Sequence, residues 1–265
     1  MKNKILDNLP TIFVVLIVAF SFVLTFKHAQ SETKETITLI NNGKAGGSFN
    51  ARTLMYKEGL SEAGYDVNYE NIGKISQAVK TFKNANTPTI MVFATNMVYR
   101  QDLFHTEENF IMLEYQQPLW ICKSNEAKGK VGIMRVAHGK TYNPELLRNI
   151  LGNEIVLVPY KNSGAMLKGM LGGDVDIMVN NQGKSLKYMA SGKGTCTPSD
   201  RLPIMQATVI GKNVDLEKMR DVIYDISMNI KFIEYHATRK LKRPSSTWAN
   251  ELSNVQTLEK AWKVD

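Results

Sequence analysis

Short β-branched runs alternate with helical stripes along most of this chain, and few folds accept that alternation. Thr36-Ile37-Thr38-Leu39-Ile40 reads as a strand. Residues 41–48 hold three glycines and read as a loop. Phe49, Thr53, Tyr56, Leu60 and Ala63 then mark one stripe of a helix, which Gly64 ends as a C-cap. The same grammar predicts a strand over 65–70, a helix over 75–82 and a buried strand over 89–93 that ends at Ala94-Thr95-Asn96. A second block repeats it, with strands over 118–123 and 130–133, a loop over 134–142, and a helix opened by Asn143-Pro144-Glu145. Asn143 is the N-cap there and Pro144 the first helical residue. A strand over 155–158, a short helix over 164–171 broken by Gly172-Gly173, and a strand over 175–179 follow. Strands alternating with helices imply sheets with parallel strands covered on both faces.

The last sixty residues change character. Leu216, Met219, Ile223, Ile226, Ile230 and Ile233 step through one long amphipathic helix capped by Asp215, and Leu252, Val255, Leu258 and Trp262 outline another. Flexible Gly/Ser linkers are absent. The reading is therefore α/β, two lobes joined by strand crossovers, with a helical tail.

At the other end, Lys2 and Lys4 precede an apolar run over 9–26, closed by Lys27 and His28 before Ala29-Gln30-Ser31. This is the pattern of a secretory signal cut after Ser31, and the run is also long enough for an uncleaved N-terminal anchor across the inner membrane. Either way residues 1–31 stand outside the fold and the remainder is periplasmic. Export leaves a disulfide and two free buried thiols equally open for Cys122 and Cys196.

Charge points to an anionic partner without naming it. The chain carries 33 Lys and Arg against 25 Asp and Glu, a formal +8, and residues 1–31 contribute three lysines and one aspartate. Most of the surplus thus belongs to the folded part. Nucleic acid is excluded as partner by export and by the interspersion of bases with acids. The densest basic cluster, Arg239-Lys240-Leu241-Lys242-Arg243, reads as a solvated helix end whose cations suit the C-terminal dipole, or as a docking surface for protein or anionic lipid.

An enzyme is hard to build from these residues. The four histidines are scattered, and G-x-S-x-G, H-E-x-x-H and G-x-G-x-x-G are all missing. Gly183-Lys184-Ser185 imitates the end of a phosphate loop, but Met178 stands where that loop needs glycine. Two cysteines 74 positions apart with no histidine cluster make a poor zinc site. No catalytic residue, metal or cofactor is expected. Arg135 with His138 is the one pair suited to acid/base work.

Two loops can hold an anion. Lys44-Ala45-Gly46-Gly47-Ser48 precedes the first helix, where unpaired backbone N–H groups and the positive dipole end gather, and Lys44 and Asn50 add side-chain donors. Arg135, His138, Gly139 and Thr141 lie in the matching loop of the second lobe. Facing each other across a cleft, the two would grip a small carboxylate from both sides.

The residues also resemble a known family. Ala45-Gly46-Gly47 with Asn50, then Glu58-Gly59-Leu60-Ser61-Glu62 and Glu70-Asn71, is similar to the opening of the tripartite tricarboxylate transporter receptors, also called Bug proteins. Val158-Pro159-Tyr160-Lys161-Asn162-Ser163-Gly164-Ala165, continuing through Leu171-Gly172-Gly173-Asp174-Val175-Asp176-Ile177-Met178 to Asn180, looks like the family's V-P-Y-K-G-G-x-P-A and L-x-G-G-x-V-D-x-M. Ser191-Gly192-Lys193 and Arg201-Leu202-Pro203 follow in the family's order. The resemblance implies a monomeric, two-lobed periplasmic-binding-protein fold of type II, with lobe 1 over 32–119 and 206–265 and lobe 2 over 120–205. It implies hinge closure on a small organic di- or tricarboxylate and delivery to membrane permease subunits. In the family the loop matching 45–50 binds a carboxylate through backbone N–H groups. The loop matching 135–141 and the strand end matching Thr95-Asn96 help to close the site, with Asn180 at the end of the second motif. Departures are equally specific: Asn50 replaces the family's aspartate, and the chain is shortened beyond Pro203. A membrane-tethered sensor of the same fold without a permease is the alternative function.

Overall fold

The alternation resolves into two five-stranded mixed sheets. The computed structural model describes residues 34–129, 132–239, 241–242 and 247–263; the apolar run over 9–26 lies outside them. Sheet A has the order β2-β1-β3-β10-β4, from β1 (Thr36–Asn41), β2 (Asp66–Asn71), β3 (Thr89–Ala94), β4 (Phe110–Gln117) and β10 (Met205–Lys212). Sheet B has the order β7-β6-β8-β5-β9, from β5 (Leu119–Ser124), β6 (Met134–Gly139), β7 (Ile155–Tyr160), β8 (Ile177–Asn181) and β9 (Gly194–Pro198). β1, β2 and β3 run parallel, as do β6, β7 and β8, while β10 and β5 run antiparallel to their neighbours. From Thr36 onward the chain is one compact unit.

Helices follow the strands. In sheet A's half they are α1 (Ser48–Glu62), α2 (Ile75–Lys83) and the single turn α3 (Val98–Gln101). Sheet B carries α4 (Pro144–Leu151), α5 (Ser163–Leu171) and α6 (Gln182–Met189), and α7 (Leu216–Ser227), α8 (Ile230–Thr238) and α9 (Trp248–Lys263) form the tail. Their ends follow the sequence rules closely. Asn143, Asn162, Asn181 and Asp215 each accept a hydrogen bond from a backbone N–H of the following first turn, and Gly64 and Gly173 take positive φ just past a helix end. Gly183-Lys184-Ser185 lies within α6, where the Ser185 hydroxyl donates to the Asn181 carbonyl, so it forms no phosphate loop.

Three expectations are corrected. The strand assigned to 130–133 and the loop assigned to 134–142 are replaced by β6, a strand over 134–139; Lys130 and Val131 lie outside the described residues. The long helix from 216 breaks at Met228-Asn229, because Asn229 takes extended backbone and its side chain accepts from the Lys231 N–H, starting α8 afresh. β4, α6, β9 and β10 had no counterpart in the sequence reading.

Packing places the core on both faces of each sheet. Ile37, Leu39, Tyr56, Leu60, Val92, Val209, Ile223 and Phe232 join α1, α7 and α8 to sheet A, and Met166, Met170, Met178, Tyr188 and the cysteines join α5 and α6 to sheet B. Cys122 and Cys196 face each other directly on β5 and β9 and are bonded to one another. β4 is an edge strand, and the tail covers its open side. The Gln116 N–H donates to the Lys242 carbonyl, the Leu113 N–H donates to Glu251 Oε2, and Trp248 Nε1 donates to the Phe110 carbonyl. An unpaired ladder is thereby closed to other chains.

Candidate functional site

The register brings one end of each sheet to the same place. β4 ends at Gln117, opposite Met205 where β10 begins, and β5 begins at Leu119, opposite Asn181 where β8 ends. Both crossovers, 117–119 and 198–205, therefore lie at the carboxyl ends of the parallel strands. In α/β sheets those ends are where loops and helix N-termini collect and where ligands bind.

On sheet A this edge carries the first predicted loop. Lys44 to Gly47 forms a tight turn closed by the Gly47 N–H on the Lys44 carbonyl at 2.9 Å, with Gly46 at φ +73°. Only glycine takes that third position without strain. A Cβ added at Gly47 would stand 2.9 Å from the Lys44 oxygen, so the second glycine is required by space. Lys44, Ala45, Gly46 and Ser48 are exposed, and α1 starts with no side-chain cap on its free N–H groups.

Behind the turn stands a knot of asparagines. Asn41 Nδ2 donates to the Gly43 carbonyl, to Asn50 Oδ1 at 2.9 Å and to Asn71 Oδ1, while its own oxygen accepts from the Gly43 N–H. Tyr69 also donates to Asn50 Oδ1, at 3.0 Å. The predicted ligand donor Asn50 is thus largely a structural residue whose oxygen fixes the loop. Asn42, fully turned inward, donates to the Val92 carbonyl.

Thr95 and Asn96 are buried in a 3-10 turn directly after β3. Thr95 Oγ1 accepts from the Gln206 N–H and so belongs to the framework. Asn96 reaches across: its Nδ2 donates to Thr141 Oγ1 at 2.7 Å, joining the two halves. Asn96 is 3% exposed, and its Oδ1 has no hydrogen-bond partner among the described residues.

On sheet B the edge carries His138, Gly139, Thr141 and Asn180. The His138 ring is buried and donates from Nδ1 to the Gly139 carbonyl at 2.8 Å. Burial lowers its pKa, the Gly139 bond opposes this, and Arg100 and Arg148 lower it further. The ring is therefore neutral, its one N–H spent on Gly139 and its Nε2 left as an acceptor, so it brings no cation to the ligand. Asn180 is fully buried, donating to the Ser163 carbonyl and to Met178 Sδ, so its amide props the start of α5.

Arg135 does not join this group. It lies near the beginning of β6, exposed, with its backbone N–H on Asp176 Oδ2. Four residues of parallel strand separate it from Gly139, about 13 Å along the sheet. Three strand residues, about 10 Å, part it from His138 as well, and it is exposed where His138 is buried, so the acid/base pair does not form.

No family model and no curated protein matches this sequence. Solved structures do. The chain matches Rpa4515 from R. palustris with adipate at a TM-score of 0.63 and 15% identity, covering 88% of this chain and 96% of that one. It matches the periplasmic binding protein BugD at 0.61 and 15% identity, covering 86% and 94%. MatC (Rpa3494) from Rhodopseudomonas palustris with bound malate gives 0.62 and 12% identity, covering 88% and 98%.

The fold is that of the periplasmic solute-binding proteins. BugD among them carries the name of the family that the sequence motifs resemble. The match spans more than nine tenths of each of these neighbours. Among the described residues no cluster of His, Cys, Asp or Glu can hold a metal ion, and no helix is long and apolar enough to cross a membrane.

Three residues that sequence reading passed over shape the site: Asn41, Asn42 and Tyr69. Their signal was weak, because a polar pair at a strand end is what any loop shows.

Proposed function

We propose that this chain is an exported solute-binding protein that captures a small organic dicarboxylate or tricarboxylate between two lobes, 32–119 with 206–265 and 120–205. It releases the ligand unchanged to the permease subunits of a tripartite tricarboxylate-type transporter. The observation that carries the reading is the juxtaposition of two strand ends. The glycine turn at the uncapped start of α1 stands on one, the Gly139–Thr141 turn stands on the other, and the Asn96–Thr141 hydrogen bond joins them. Adipate and malate in two of the structural neighbours support the ligand class.

Lys44, Ala45, Gly46, Gly47 and Ser48 present N–H donors and the positive dipole end to one carboxylate. Asn96, His138, Gly139 and Thr141 close over it from the facing edge. Ligand favours the closed arrangement by the contacts it makes only there.

The test is calorimetric and thermal-shift titration against citrate, C4 dicarboxylates, adipate, aromatic acids and acidic amino acids, with recovery of unaltered ligand. Binding of at least one carboxylate is expected. Gly47→Glu should abolish it, because its side chain starts against the Lys44 carbonyl and sets an anion at the helix start. If no carboxylate raises the melting temperature, the proposal falls. Fractionation with N-terminal sequencing checks export: a soluble periplasmic protein starting at Glu32 is expected, and an intact Met1 in the membrane would favour a tethered sensor.

A further inference from the structure

We propose that Arg239 forms a second anion subsite beside the start of α1, for the distal carboxylate of a dicarboxylate ligand. The inference rests on the ligand class just proposed and extends it, since the turn at Lys44–Gly47 accounts for one carboxylate only.

The argument begins beneath the helix start. Arg52 Nη1 donates to Ser48 Oγ at 2.7 Å, and a guanidinium can only donate. Arg52 is 0% exposed and its Nη2 has no hydrogen-bond partner. Its Nε lies 2.9 Å from Glu114 Oε1, and its face is covered by Phe49 and Tyr115. Burial alone would lower the Arg52 pKa, yet Glu114 together with Tyr115, Tyr235 and Tyr56 outweighs it and holds the group above the ordinary arginine value. A charged guanidinium, balanced by Glu114, thus stands one turn below the uncapped N–H groups with one donor unused among the described residues.

Tyr235 of α8 reaches the same residue from the side. Its hydroxyl lies 3.1 Å from Ser48 Oγ and 3.2 Å from the Ser48 carbonyl. Arg239 lies on the other face of this contact, its guanidinium 3.7 Å from the Tyr235 ring centroid. A cation held flat on an aromatic ring keeps its edge, and hence its forked N–H groups, available. Arg239 is exposed, and among the described residues its side chain makes one hydrogen bond, from Nη1 to Thr238 Oγ1, and pairs with no carboxylate.

The course of the backbone places Arg239 on the correct rim. Lys242 bridges to Gln116 on β4, one residue before the crossover at Gln117, so the chain after α8 runs along the ligand-side end of sheet A. The start of α1 is thus met by the Tyr235 hydroxyl at Ser48, and Arg239 stands on the ring of that tyrosine. A guanidinium with free parallel donors suits a planar carboxylate, which it can take in a bidentate grip. Part of the basic cluster that the sequence left as a solvated helix end is assigned here to ligand selection.

Matched pairs of acids test this, because they differ only in the second carboxylate: adipate against hexanoate, and succinate against butyrate. The wild-type chain should bind the diacid of at least one pair more tightly. Arg239→Gln should weaken that diacid about tenfold while moving the monoacid less than about twofold. Arg239→Lys should recover part of the difference. Melting temperature without ligand should stay unchanged in both variants, since the residue is exposed. Equal losses for diacid and monoacid, or no loss for either, overturn the subsite while leaving the carboxylate-binding proposal standing. A wild-type chain that binds no acid in either the pairs or the wider panel overturns the functional proposal, and the subsite with it.

Discussion

Replacing Trp262 by alanine should weaken the whole fold, because this residue fastens the tail across both halves. α9 is tied to sheet A along its length, through Glu251 to the Leu113 N–H, Gln256 to the His105 carbonyl, and Glu259 to the His105 ring at 2.6 Å. At its end the helix reaches the other half. Trp262 is 0% exposed, packs in one cluster with Val98, Leu119, Val136 and Leu147, and meets the Tyr142 ring at 5.4 Å between centroids. Its indole donates to the Ile204 carbonyl, and the Lys263 carbonyl accepts from Asn143 Nδ2 at 3.0 Å. Truncating a buried tryptophan costs about 3–5 kcal/mol. For a chain of this length that becomes a fall in melting temperature of roughly 6–20 °C. Urea unfolding followed by circular dichroism measures the loss, and hydrogen exchange locates it: Tyr142 and Asn143 should lose protection before the Glu259–His105 region does. A loss below about 1 kcal/mol, or uniform loss of protection along α9, would refute the bridging role.

The disulfide and the buried histidine each carry a further expected outcome. The Cys122–Cys196 bond closes a loop of sequence separation 74 and ties edge strand β9 to β5; the chain-entropy relation gives about 4 kcal/mol for it. Reduction, or serine at both positions, should lower the urea midpoint accordingly, and an unchanged midpoint would show that the sheet does not depend on it. His138, whose pKa burial lowers from 6.5, stays neutral in the fold where an unfolded histidine begins to protonate. The unfolded state then binds more protons, so stability falls as pH drops below 6.5, by at most about 1.4 kcal/mol per pH unit from this group. His138→Gln should flatten the stability profile between pH 6.5 and 5, and an identical slope in both proteins would place the proton elsewhere.

Local signals were legible wherever one residue dictates one backbone shape. Asn143-Pro144, Asp215 and Gly64 act only on their own helix ends, so the chain reveals them without its tertiary structure. The division into two sheets followed from the same punctuation. β4 and β10 escaped because both are buried on their two faces, β4 at an edge that the tail covers, so neither shows the alternation of a half-exposed strand. Asn229 misled for the opposite reason: the apolar stripe continues smoothly across it while its side chain, on the next turn, ends one helix and starts another.

The site divides along the same line. The glycine turn was readable because two glycines before a helix have a local cause. Arg135 was misplaced because an error of four residues in one strand carries a side chain from one end of a sheet to the other. The cations that matter most for an anion were visible as charges but not as neighbours. Arg52 looks like an ordinary helical arginine until it pairs with Glu114, 62 positions on, in the interior, and Arg239 looks like solvated charge until it is seen on the ring of Tyr235, whose hydroxyl meets Ser48. A net charge of +8 therefore says little by itself. What gives it direction is long-range pairing, which neutralises some cations inside the core and leaves a few aimed at one rim.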